Sequence, residues 1–287
     1  MRWKSGRRST NIEDRRGRRI PGGMKGGGIG ILLLALVGMY FGIDPSVILN
    51  MGENLQGSSV GSQQTGSASP SAKEQQDADF IAVVLADTED VWAQVFSEGG
   101  GAYQKPTLVL FSGAVQSACG YAQAAVGPFY CPGDQKVYID LSFYDDLKNQ
   151  LDAPGDFAQA YVVAHEIGHH VQKLLGISDK VHELKNSLPP KDYNKISVRL
   201  ELQADCLAGV WANRADKMRG ILEPGDIDEA INAAGRIGDD RLQKQARGYV
   251  TPDSFTHGTS AQRVRWFKEG FSSGDIKTCN TFGEGDV

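Results

Sequence analysis

His165 and His169 stand four residues apart in the run Val162-Val-Ala-His165-Glu166-Ile-Gly-His169-His170. On a helix, residues at that spacing share a face, so both imidazoles can reach one ion. Glu166 lies about 100° further round, beside that ion. The helix itself is legible. Asp156 after Pro154-Gly155 reads as an N-cap, and Gly176 after Leu174-Leu175 reads as a stop. Between them Ala160, Val163, Ala164, Ile167, Val171 and Leu174 recur at three- and four-residue steps as one apolar face, with the two histidines on a neighbouring face.

A catalytic metal site needs a third protein ligand and an open position. Glu201 and Asp205 are four apart on a second predicted helix, within Arg199–Trp211. Glu201 is the candidate third ligand. Asp205 is the candidate partner for the second N–H of a liganded histidine, a bond that sets tautomer and basicity. Ala204, Ala208, Gly209 and Ala212, with Gly168 on the first helix, are small enough to let the two helices approach one ion. The expected centre is therefore one zinc ion per chain, held by His165, His169 and Glu201. Glu166 is placed to accept a proton from a water that the ion activates, which points to peptide-bond hydrolysis.

His165-Glu-x-x-His169 followed by Glu201-x-x-x-Asp205 resembles the gluzincin arrangement of zinc peptidases. Five stretches look like the neutral zinc metallopeptidase family of bacteria (YpfJ-like). They are His165-Glu-Ile-Gly-His-His-Val, Glu201-Leu-Gln-Ala-Asp-Cys-Leu-Ala-Gly-Val-Trp, Gly127-Pro-Phe-Tyr-Cys-Pro, Ile237-Gly-Asp-Asp-Arg-Leu-Gln and Phe255-Thr-His-Gly-Thr-Ser-Ala-Gln-Arg. The resemblance implies a zincin-like α+β domain and a peptide or protein substrate. Its zinc positions match this chain without departure.

Charge is uneven along the 287 residues. Residues 1–25 hold nine basic and two acidic side chains, a net +7, which leaves −12 for the remainder of a chain whose total is −5. The uncharged stretch 26–43 follows. At 1.5 Å per residue its 18 residues would span about 27 Å as a helix, just enough for a bilayer. A basic flank before an apolar span predicts a cytoplasmic head at 1–25 and a single-pass anchor in a bacterial inner membrane at 26–43. A Gly/Ser/Gln-rich linker would follow at 44–78, then an exported, periplasmic metallopeptidase domain at 79–287. A cleaved signal peptide is the runner-up for 26–43. With the apolar span next to it, the basic head argues for a membrane and against nucleic acid.

Four cysteines suit an oxidising compartment. Cys119 with Cys131 and Cys206 with Cys279 is the preferred pairing of three, with free thiols as the alternative. A helix is expected over about 78–97, strands at 107–111 and 137–141, and helices at 226–236 and about 260–270. Strand 137–141 is the candidate edge for an extended substrate, with an ordinary interior strand as the alternative. These elements make the expected fold α+β, with a small sheet beside the His165–His169 helix.

His257, in a loop before the last helix, is a candidate donor to the oxyanion of the reaction. Arg263 is read as a surface residue that could instead pair with Asp205 or Glu201, His170 as pointing away from the ion, and His182 as solvated. Two other readings stand beside the peptidase: a zinc amidase acting on cell-wall cross-bridges, and a zinc-stabilised scaffold without turnover. Substrate, oligomeric state and regulation are not encoded in these patterns.

Overall fold

The computed structural model describes residues 1–17 and 70–283. The described residues make an α+β fold. Its first long helix, α1 (Ala72–Glu98), starts earlier than the hydrophobic pattern suggests, because Ser71 and Glu74 form a reciprocal capping box. Val83, Val84, Leu85 and Trp92 on α1 are fully buried.

A four-stranded sheet has the order β1-β2-β6-β5. Its strands are β1 (Ile12–Asp14), β2 (Thr107–Phe111), β5 (Phe129–Cys131) and β6 (Lys136–Asp140). β1 and β6 run parallel to β2, and β5 runs antiparallel to β6. Between β2 and β5, β3 (Ala114–Ser117) and β4 (Gly120–Gln123) form a hairpin. The period of two sorts the side chains. Leu108, Leu110, Val137 and Ile139 join the main core with the helices, whereas Val109, Phe111 and Tyr138 pack with Val115 and Cys131 on the other face.

After the short helix α2 (Ser142–Asn149) comes α3 (Asp156–Leu174), which carries His165 and His169. Its N-cap is Gly155, one residue before the expected Asp156, and Glu229 accepts from the Phe157 backbone N–H at 3.0 Å. A distant carboxylate thus supplies the cap that the local sequence does not. The helix ends at Leu175, and Gly176 takes the left-handed conformation at φ 72°. Next come α4 (Ile177–Glu183), α5 (Pro190–Arg219), α6 (Asp226–Arg236), α7 (Asp239–Arg247) and α8 (Ser260–Ser273).

Glycines set two close helix approaches. A Cβ on Gly168 of α3 would lie 3.0 Å from the Ala204 carbonyl oxygen of α5. A Cβ on Gly270 of α8 would lie within 1.9 Å of the Cys206 carbonyl oxygen, so α8 crosses α5 backbone to backbone. Disulfides join Cys119 to Cys131 and Cys206 to Cys279, the latter tying the C-terminal segment to α5.

The topology expected for the N-terminus does not hold. Residues 1–16 are an integral part of the fold. β1 hydrogen-bonds along β2, and the buried Glu89 of α1 accepts from Ser9, Asn11 and Arg7. Glu13 pairs with Lys136 of β6 at 2.5 Å. A strand cannot lie across a bilayer from its own sheet neighbour. A cytoplasmic head at 1–25 with the catalytic domain on the far side of a single span is therefore excluded, and so is the localisation built on it. Among the described residues no helix is long and apolar enough to cross a membrane. The proposed anchor, 26–43, and most of the proposed linker lie outside the described residues. Strand 137–141 is also corrected: β6 is interior, between β2 and β5, and the edge strands are β1 and β5.

Candidate metal centre

α3 and α5 bring His165, His169 and Glu201 together. One ligand atom from each lies within 4.8 Å of the others. Glu201 Oε2 is 3.2 Å from His165 Nε2 and 3.5 Å from His169 Nε2.

Hydrogen bonds on the far sides of both rings decide what these atoms offer. His165 Nδ1 lies 2.9 Å from Asp205 Oδ1, a carboxylate that can only accept, so Nδ1 carries the proton. His169 Nδ1 lies 2.9 Å from Gln172 Oε1. The Gln172 amide donates to the Leu200 carbonyl at 2.7 Å and to Gln203 Oε1 at 3.1 Å, so its oxygen is the acceptor and His169 Nδ1 the donor. With both rings neutral, the two Nε2 lone pairs face one carboxylate. Three such groups converging in a partly buried place could hold a cation between them. The donor set of two imidazoles and one carboxylate fits zinc.

The proton affinities express the same frustration. Burial opposes charge on His169, yet Glu201 overrides it and raises the imidazole to about 9. Burial likewise opposes charge on Glu201, but His169 and His165 hold its carboxyl well below the ordinary range. Glu166, 8 % exposed, has its carboxyl pushed up by burial, with the histidines pulling the other way.

Asp205 is fully buried and accepts from four donors: Tyr161 Oη at 2.5 Å, His165 Nδ1, and Arg263 through Nε at 2.8 Å and Nη2 at 2.9 Å. Burial would raise its carboxyl, but Arg263 and His165 bring it down to about 2. Arg263, expected on the surface, is 3 % exposed and is the counter-ion beneath the site. Tyr161 was not singled out by the sequence at all.

His257 lines the same cleft and is about half exposed, its Nδ1 3.2 Å from Asp239 Oδ1. Asp239 Oδ2 also accepts from the backbone N–H groups of Thr256, His257 and Gly258. The neighbouring Asp240 accepts from the Ser260 N–H and hydroxyl. The first turn of α7 thus clamps the loop that presents His257. Its only sequence trace was the Gly-Asp-Asp run at 238–240. His170 faces away from the ligand atoms, as its position on the helix predicts. It contacts the Gln104 carbonyl through Nε2 at 2.6 Å and Tyr130 Oη through Nδ1 at 3.0 Å, anchoring edge strand β5 to α3.

Two cavities meet at the centre and share Tyr130, His169 and Glu201. One, about 410 Å³, has an apolar wall that includes Val126, Phe129, Phe143, Val162 and Leu242. The other, about 420 Å³, is lined by Lys173, Asp179, His182 and Tyr193 together with Pro132, Val181 and Leu200. His182 is exposed there. A second group, Asp156, Asp226 and Glu229, could also hold a metal ion. It already surrounds a cation: the Met1 ammonium lies 2.7 Å from Asp156 and 3.3 Å from Asp226.

A family model described as "Putative neutral zinc metallopeptidase" matches residues 1–282. The chain belongs to this zinc metallopeptidase family. It is 52 % identical over 295 residues to the protein YpfJ of Escherichia coli (strain K12), covering 99 % of each chain. It is 44 % identical over 195 residues to Rv2575 of Mycobacterium tuberculosis (strain ATCC 25618 / H37Rv), covering 64 % of this chain and 65 % of that one. Mb2605 of Mycobacterium bovis (strain ATCC BAA-935 / AF2122/97) is similar to the same extent. No solved structure matches the chain. Membership in this family supports a hydrolytic, metal-dependent activity.

Proposed function

We propose that this chain hydrolyses peptide bonds in proteins or peptides, using one zinc ion held by His165 Nε2, His169 Nε2 and Glu201 in a zincin-like, gluzincin-type site. The observation that carries the reading is the convergence of two imidazole Nε2 atoms on one half-buried carboxylate, with the far nitrogen of each ring engaged by Asp205 and Gln172. When bound, zinc polarises the scissile carbonyl and lowers the pKa of water toward roughly 7.

The residues divide the remaining work. Glu166 accepts the proton of the attacking water and returns it to the leaving amine. A carboxyl raised by burial is the stronger base for that step. Asp205 holds His165 in the tautomer that leaves Nε2 free. His257, fixed by Asp239, donates toward the oxygen that gains negative charge. The part of the ring that is covered opposes its protonation, but Asp239 and Glu201 raise its pKa, which favours the donating form.

An extended peptide would add to the edge of β5, whose Tyr130 backbone also reaches Glu166. It would then cross both arms, with a large apolar side chain against Phe143 and Leu242. Pocket discrimination of this kind is typically worth about 10–200-fold.

The test is cleavage of unfolded casein by the zinc-loaded full chain. Activity should stop with a chelator and return with zinc, and the cut sites should show an apolar residue on one fixed side. Release of fragments from purified cell wall but not from casein would move the substrate to cross-bridge amides. Zinc binding without cleavage in either assay would leave a scaffold.

A further inference from the structure

The donors behind His169 form a chain of one polarity. His169 Nδ1 donates to Gln172 Oε1, Gln172 Nε2 donates to Gln203 Oε1 at 3.1 Å, and Gln203 Nε2 donates to the Cys279 carbonyl at 2.8 Å. An amide can turn over and exchange its donor and acceptor ends. A backbone carbonyl cannot. The Cys279 carbonyl therefore sets the orientation of Gln203, and with the Leu200 carbonyl it sets that of Gln172. Gln172 in turn sets which nitrogen of His169 is free to bind a metal.

The chain is shielded from water. Gln172 is 0 % and Gln203 7 % exposed, so neither amide has solvent to fall back on. Its far end is held covalently, since Cys279 is bonded to Cys206 of α5. The same segment is pinned again where Arg199 donates to the Thr281 carbonyl at 2.6 Å and Thr281 Oγ1 donates to the Arg199 carbonyl at 2.6 Å.

We propose that Gln172 is the positioning residue for His169 as a metal ligand, and that the Cys206–Cys279 disulfide, acting through Gln203, keeps it in place, so that opening this disulfide weakens metal binding. The proposal rests on His169 being a ligand. Opening is a two-electron reduction: a dithiol such as dithiothreitol gives up two electrons and two protons, the S–S bond becomes two thiols, and the dithiol closes to its own cyclic disulfide.

Zinc affinity of the full chain, measured by competition with a chromogenic chelator, tests this without reference to turnover. Gln172→Leu should weaken zinc about 10–100-fold, the usual cost of losing such a partner. Gln203→Leu and reduction of the parent, with the Cys206 and Cys279 thiols verified by mass mapping, should each weaken it by less. Neither should add to Gln172→Leu, because a broken chain has nothing further to transmit.

A merely structural role would lower the melting temperature and leave these affinities alone. Gln172→Leu within about twofold of the parent, the scatter expected of unconnected sites, overturns the proposal. So does a Gln203→Leu penalty that persists in full on the Gln172→Leu background. Should Gln172→Leu fail to fold, the oxidised and reduced parent decide, and equal affinities overturn it. A parent that takes up no zinc removes the ligand reading and this proposal with it. A parent and variants that bind zinc equally remove this proposal alone.

Discussion

Asp205 Oδ1 lies 2.9 Å from His165 Nδ1, and the same carboxylate takes both Nε and Nη2 of the buried Arg263. One side chain thereby sets a candidate ligand's tautomer and neutralises a charge in the core. Asp205→Ala should fail on both counts. Zinc affinity should fall about 10–100-fold. Leaving Arg263 buried without its partner should cost roughly 3–5 kcal/mol of stability. Adding Arg263→Leu should restore stability but not zinc affinity. Thermal melts beside chelator competition check this, and an Asp205→Ala protein equal to the parent in both would contradict it.

Glu166 is not among the converging ligand atoms. Glu166→Gln keeps its shape and removes its proton-accepting role. Zinc content should stay at one per chain, while turnover should drop at least about a hundredfold. Glu201→Gln should instead lose zinc and activity together. The measurement is metal content alongside cleavage rate. Parent-like turnover by Glu166→Gln would exclude it as the base.

Asp87 on α1 is 1 % exposed, and burial pushes its carboxyl up to about 6 although the paired Arg219 pulls the other way. The unfolded chain would release that proton near pH 4. Between those values the folded state binds the extra proton, so stability falls as pH rises from about 4 through 6, by up to about 3 kcal/mol. Asp87→Asn should therefore melt higher than the parent at pH 8, with the gap closing by about pH 4.5. Denaturant titrations at the two pH values check it. A gap that is absent at pH 8, or widens in acid, would contradict the assignment.

Residues 1–16 should be indispensable to folding. Without them β2 gains a free edge, and Glu89, 1 % exposed, keeps only Lys105 of its charged partners and loses Arg7, Ser9 and Asn11. A chain beginning at residue 70 should lose roughly 3–5 kcal/mol or fail to fold. Equal melting temperatures for it and the full chain would show that the strand is dispensable.

Local pattern was enough to read the helix of His165 and His169, because a four-residue ligand step and an apolar face of the same period occupy the same 19 residues. It was also enough to set Glu201 and Asp205 on one face of a second helix, and to favour the cysteine pairing found here. Other features were legible only in three dimensions, because each rests on partners distant in sequence. β1 is three residues long, and β2 supplies its order. Strand 137–141 reads as an edge until β5 pairs with it. Arg263, Tyr161 and Asp239 look like ordinary polar residues until α8, α3 and α7 bring them to Asp205 and His257. A basic head beside an apolar stretch carries the statistics of a membrane topology, but sheet pairing is decided by which backbone groups meet. Spacing along one helix determines which residues can face a common ion. Packing between elements decides which protons those residues keep, and so what the ion would find.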